Sequence, residues 1–63
     1  MKHIWLVTYG EAGCQPQLRM FSNLKRARAF AQEIASSREL EEIEKDIWQN
    51  APDYCVITRE VVE

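Results

Sequence analysis

Few side chains in this sequence could act as nucleophile, base or soft metal ligand: one histidine, His3, and two cysteines, Cys14 and Cys55, in 63 residues. Nucleophilic catalysis needs a nucleophile, a base and an orienting group held together. His3 stands at the start of the first strand-like segment, far in sequence from both thiols. Cys14 falls in a loop with no neighbouring cation to lower its pKa, and Cys55 falls in an apolar run and reads as core. As metal ligands the thiols would need His3 and a carboxylate, and no C-x-x-C or H-x-x-x-H spacing supports such a set. In a reducing cytosol both cysteines are expected as free thiols. Gly10 and Gly13 are the only glycines, so there is no glycine-rich phosphate loop. Acid–base work requires a carboxyl group held in an apolar pocket, and the acids here read as solvated. The expectation is a non-enzymatic chain with no metal and no cofactor.

Charge is divided unevenly along the chain. Residues 1–28 carry Lys2, Arg19, Lys25, Arg26 and Arg28 against Glu11 alone. Residues 29–63 carry Arg38, Lys45 and Arg59 against Glu33, Glu39, Glu41, Glu42, Glu44, Asp46, Asp53, Glu60 and Glu63. The two halves are thus +4 and −6, matching the net charge of −2. Such asymmetry points to a partner surface.

Size and composition narrow the choices. A chain of 63 residues makes a single domain, 1–63, and buries only about 60% of its unfolded surface. Domains this small usually lean on a disulfide, a metal or a second copy. The hydrophobic share of 46% and charged share of 29% fit a globular chain. The longest apolar run, Ile4–Val7, is far short of the ~20 residues that span a bilayer, and no small-residue cleavage site follows the N-terminal residues. The expected setting is cytoplasmic, without a membrane.

The elements that must position these groups follow from periodicity. Residues 3–9 (HIWLVTY) read as a strand and 18–21 (LRMF) as a second, joined by a loose hairpin through Gly10–Pro16. Ser22 is a candidate N-cap for a helix over 23–35, with Leu24, Ala27, Phe30, Ala31, Ile34 and Ala35 in one stripe. Continued at 100° per residue, Leu40, Ile43 and Ile47 would lie about 180°, 120° and 160° from Ala31. That predicts a break at Ser36-Ser37 and a second helix over 38–48, with Ser36 and Glu39 spaced as a capping box. The alternative is one long helix whose second half docks on another surface, such as a second copy. Pro52 ends the helical run, and 54–62 (YCVITREVV) reads as the third strand. The fold expected is α+β: a three-stranded antiparallel sheet, order 2-1-3, packed with one or two helices in the order ββααβ. One sheet face would stay open unless a helix or a second subunit covers it, and exposed apolar patches mark contact surfaces.

The strand K-x-I-W-L-V-T-x-G-E over 2–11, the Phe21-Ser22 helix start, the helix at Ala27–Ala31 and the Tyr54-x-Val56…Val61 strand resemble a loose group of small bacterial and phage proteins of unknown function. The resemblance covers 2–35 and 54–62 and carries no catalytic signature. It departs at Gly10–Pro16 and at the acidic insert Glu39–Trp48. What it implies is a phage or mobile-element setting.

Functionally, the expectation is a small interaction protein that binds and inhibits a host protein. The partner expected is a nucleic-acid-binding defence complex, met in the manner of anti-CRISPR proteins. Glu39, Glu41, Glu42, Glu44 and Asp46 on the second helix would imitate a phosphate row and steer encounter with a basic groove, and Trp48 would be the apolar anchor or a core plug. The alternative is a homodimeric nucleic-acid-binding regulator using Arg19, Lys25, Arg26 and Arg28, against which stands a pI of about 5.3. An intramolecular pairing of the basic and acidic segments, and a role as an orphan structural subunit, are further readings.

Overall fold

The computed structural model describes residues 2–62; Met1 and Glu63 lie outside the described residues. The chain runs β1 (Lys2–Glu11), β2 (Gln17–Phe21), α1 (Leu24–Ser37), β3 (Glu41–Glu44), β4 (Ile47–Asn50) and β5 (Asp53–Val62). The strands form one antiparallel sheet in the order β2-β1-β5-β4-β3.

This overturns the expected three-stranded ββααβ arrangement. Among the described residues the sheet has five strands and there is a single helix. Residues 41–50, expected as part of a second helix, instead form a hairpin around the two-residue loop Lys45-Asp46. Two forces favour the hairpin. In a helix, Glu41/Glu44 and Glu42/Asp46 would be like-charged neighbours one turn apart. In a strand, successive carboxylates point to opposite faces. More decisively, β4 completes the sheet by pairing with β5: Ile47 lies opposite Val56 and Trp48 opposite Cys55. Sheet pairing and burial override local helix propensity here. Asp46 adopts φ 63°, a left-handed conformation that Asp tolerates in turns, and Ile43 is the extra residue where the β3–β4 register shifts.

The helix begins and ends for local reasons. Its N-cap is Asn23, not Ser22: the Asn23 side chain accepts hydrogen bonds from the Lys25 and Arg26 backbone N–H groups at 2.8 and 3.3 Å. Its end lies at Ser37, and Ser36-x-x-Glu39 is not a capping box. Leu40 N–H donates to the Ala35 carbonyl at 2.7 Å and Glu39 N–H to the Ser36 carbonyl at 3.4 Å, with Glu39 at φ 57°. These are the paired bonds of a Schellman C-cap, a position usually held by glycine. Leu40 supplies the accompanying apolar contact by packing against the core, and Asn50 Nδ2 donates to the Glu39 carbonyl at 3.0 Å. The helix therefore turns directly into β3.

The core lies between α1 and one sheet face. Val7, Cys55, Ile57 and Trp48 are buried beneath Ala27, Ala31 and Ala35. Three alanines on one stripe let the helix sit close to the sheet, so the core is thin: the largest fully buried side chains are Val7 and Cys55. Trp5, Tyr9, Phe21, Leu24, Phe30 and Ile34 pack around it. Phe30 meets Tyr9 edge-on and Phe21 at a tilt, both at 5.4 Å between ring centroids, contacts worth about 0.5–1.5 kcal/mol each beyond burial. At the far end the Ala51-Pro52 loop, whose peptide bond is cis, closes β4–β5. Its Pro52 carbonyl accepts from Ala12 N–H of the β1–β2 loop at 2.8 Å.

Candidate functional site

The residues expected to meet a partner are distributed differently from their sequence pattern. Glu39 occupies the helix C-cap turn, and Glu41, Glu42 and Glu44 lie on β3, an edge strand, all exposed. Alternation and register place Glu42 on the helix side of the sheet, opposite Trp48, and Glu41 and Glu44 on the other side, opposite Gln49 and Ile47. Among the described residues no acidic helix displays them as a row. Trp48 is only 6% exposed; it is a core residue and not a free anchor. Charges on an edge strand also keep its unpaired backbone from recruiting other strands.

Two members of the opposing charge sets bind each other. Arg28 donates from Nε to Asp46 Oδ1 at 2.9 Å and from Nη2 to Asp46 Oδ2 at 3.2 Å, a two-pronged pair that straps α1 to the β3–β4 loop. The hydrogen bond to Asp46 holds the Arg28 guanidinium above its ordinary pKa. Asp46 N–H also donates to Glu42 Oε2 at 3.4 Å, and the Asp46 carbonyl accepts from Ile57 N–H at 3.0 Å. This loop is therefore tied to three elements. A second pair, Arg38 Nη1 to Asp53 Oδ1 at 3.3 Å, fastens the helix C-terminus to the start of β5.

The basic set is correspondingly depleted. Arg19 stacks its guanidinium over the Phe30 and Phe21 rings at 5.3 and 6.0 Å. Lys25 and Arg26 remain exposed on the first turn of α1, where the helix dipole disfavours cations. A shallow groove of 490 Å³ along α1 is lined by Leu24, Lys25, Arg28, Ala29 and Gln32, and its Arg28 is already engaged.

The candidate reactive groups stay apart. His3 is exposed near the start of β1, six strand residues from Tyr9, the register partner of Cys55, a separation of roughly 20 Å. Cys14 is exposed and Cys55 buried, both free. Burial pushes the Cys55 thiol up to about 11, with nearby Arg38 opposing the shift. Among the described residues no three His, Cys, Asp or Glu side chains gather as a metal site, and no helix is long and apolar enough to cross a membrane.

The feature that dominates the surface is the sheet face turned away from α1. Register and alternation place Ile4, Leu6 and Thr8 of β1, Leu18 and Met20 of β2, Ile47 of β4 and Tyr54 and Val56 of β5 together on it. Leu6 stands opposite both Met20 and Thr58, and Thr8 opposite both Leu18 and Val56. Leu18 and Met20 are 60% and 68% exposed, and no element of the described chain covers them. An antiparallel sheet with one solvated face ordinarily makes that face polar; this one is apolar across β2, β1, β5 and β4. Partial signals in the sequence were the two-sided hydrophobicity of β1 and the apolar alternation of 18–20. The contribution of Ile47 required knowing that 47–50 is a strand. Comparisons of the chain with protein-family models, curated proteins and solved structures give no match.

Proposed function

We propose that this chain acts by binding another protein, with no chemistry of its own. The observation that carries the reading is the uncovered apolar sheet face: Leu18 and Met20 stand 60% and 68% exposed beside Ile4, Leu6, Val56 and Ile47. Contiguous apolar patches of this kind mark contact sites. Glu41 and Glu44 border the face along β3, so the complementary surface is apolar with basic groups at one margin. In this form the chain works as a phage-type inhibitor of a nucleic-acid-handling protein in a bacterial host's cytoplasm. The margin of carboxylates favours approach to a basic surface, while the apolar face supplies the contact area. Trp48 takes no part. The reading as a nucleic-acid-binding regulator keeps Lys25 and Arg26 but has lost Arg28 to Asp46, and no observation favours it.

The test is affinity capture from a bacterial lysate with the tagged wild type, the Leu18→Lys/Met20→Lys variant and the Glu41→Lys/Glu44→Lys variant, at low and high salt. One protein should be held by the wild type and lost by the first variant. Its binding should weaken with salt and in the second. Equal recovery with Leu18 and Met20 replaced would refute the reading.

A further inference from the structure

We infer that the uncovered sheet face is occupied by a second copy of this chain, giving a two-fold dimer in which two sheets stack face to face with the helices outside. The inference rests on the reading of that face as a protein-contact surface; the second copy covers it while no host protein is bound, and the two compete for the same residues.

Three observations point to self-association. The first is area. The structure exposes 4730 Å², whereas a monomer of 7.4 kDa is expected to expose about 4,200 Å², so roughly 500 Å² is in excess. The 33 strand residues (ten, five, four, four and ten) independently define a sheet plane of roughly 540 Å², at about 3.4 Å per residue and about 4.8 Å between strands. Two such faces come to roughly 1,100 Å², close to the ~1,200 Å² at which stable interfaces begin. Stacked sheets of a sandwich have the required spacing of about 10 Å.

The second observation is the thin core. Three of its seven buried residues are alanines, and Val7 and Cys55 are the largest side chains fully enclosed. Both cysteines are free, so no disulfide reinforces the chain. Chains this small are commonly completed by another copy, and doubling the sheet would give Leu6, Val56 and Ile47 a second core.

The third is charge. The centre of the face is uncharged, so two copies can meet there without burying an unpaired charge. Its charges lie at the margins. Lys2 and Glu60 are diagonal neighbours of opposite sign at one end, and Glu41 and Glu44 line the β3 edge. A two-fold axis across the strands would stack β3 on β3 and oppose like carboxylates. An axis along the strands stacks β5 on β5 and sets β3 of one copy over β2 of the other, whose residues on this face, Leu18 and Met20, carry no charge, Arg19 being turned to the helix side. Charge therefore selects the second axis.

Sedimentation equilibrium over a concentration series tests this. The wild type should rise from 7.4 kDa toward twice that mass. Leu18→Lys/Met20→Lys should weaken the dimer on the order of a hundredfold, while circular dichroism shows the fold retained, since both side chains are exposed in the monomer. Methyl resonances of Leu6 and Val56 should be shielded from a soluble paramagnetic probe in the wild type and reached by it in the variant. A wild type that stays monomeric overturns the inference, as does a dimer that survives the double substitution. A monomer that binds a different protein and loses it on the same substitution rejects the second copy while leaving the protein-binding reading intact.

Discussion

The two faces of the sheet are built from the same kinds of residue and meet different fates. On one, Val7, Cys55, Ile57 and Trp48 lie under the alanine stripe of α1 and are buried. On the other, Ile4, Leu6, Leu18, Met20, Val56 and Ile47 form an apolar surface with none of the described residues above it. Apolar alternation decides that a strand has a face to bury; it does not decide what buries it. One helix of 14 residues covers one side of the sheet, and no element of the described residues covers the other.

That contrast can be broken most severely at Trp48. If it belongs to the covered face, Trp48→Ala should cost about 3–5 kcal/mol, a large part of the ~3–9 kcal/mol available to a domain this size. Urea denaturation measures it. A loss below about 1 kcal/mol would return Trp48 to the partner surface.

The next effect is the pH dependence set by Cys55, also beneath the helix. Its folded pKa of about 11 is above the ordinary value of 9.0. The contribution is therefore complete at pH 8, falls as the unfolded thiol ionises, and is lost by the time pH passes about 11. Stability should decline on the order of 2 kcal/mol across that window. Cys55→Ala, although less stable at neutral pH, should show a shallower decline, and identical slopes would place the thiol in water.

Smaller again is the strap that closes the covered side. Asp46→Asn keeps a residue tolerant of positive φ and removes the charge opposite Arg28. With side-chain exposures of 36% and 22% for Arg28 and Asp46, the pair is partly screened by solvent, and the urea midpoint should fall only slightly. The fall should shrink in high salt and vanish in an Arg28→Met background, as a double-mutant cycle would record.

The smallest effect belongs to the open face. Leu18→Lys/Met20→Lys should change monomer stability by less than about 0.5 kcal/mol when measured at high dilution, although it removes association. A cost above about 2 kcal/mol would mean that these side chains are already packed within the chain.

The candidate site was legible in part. The helix stripe and the two-sided character of β1 were readable because each follows from a local period. The charge split was also readable, but its consequence was not. Arg28 and Asp46 stand 18 residues apart and meet only because the β3–β4 loop folds back over α1. Within 38–50, alternation was masked by five acids and by helix-forming Glu and Leu. The turn signal there was the modest Lys45-Asp46, and the decisive term was a backbone partner on β5.

By itself, then, the sequence determined that an amphipathic helix would follow the first two strands and that β1 would be apolar on both sides, while the second helix it suggested over 38–48 does not form. The two features that hold depend on interactions between residues close along the chain. The tertiary structure alone decided that the acidic segment is an edge hairpin, that Trp48 is core, and that the uncovered face extends across four strands. Those outcomes depend on strand pairing, where hydrogen bonds and burial between distant segments outweigh what each segment would adopt alone.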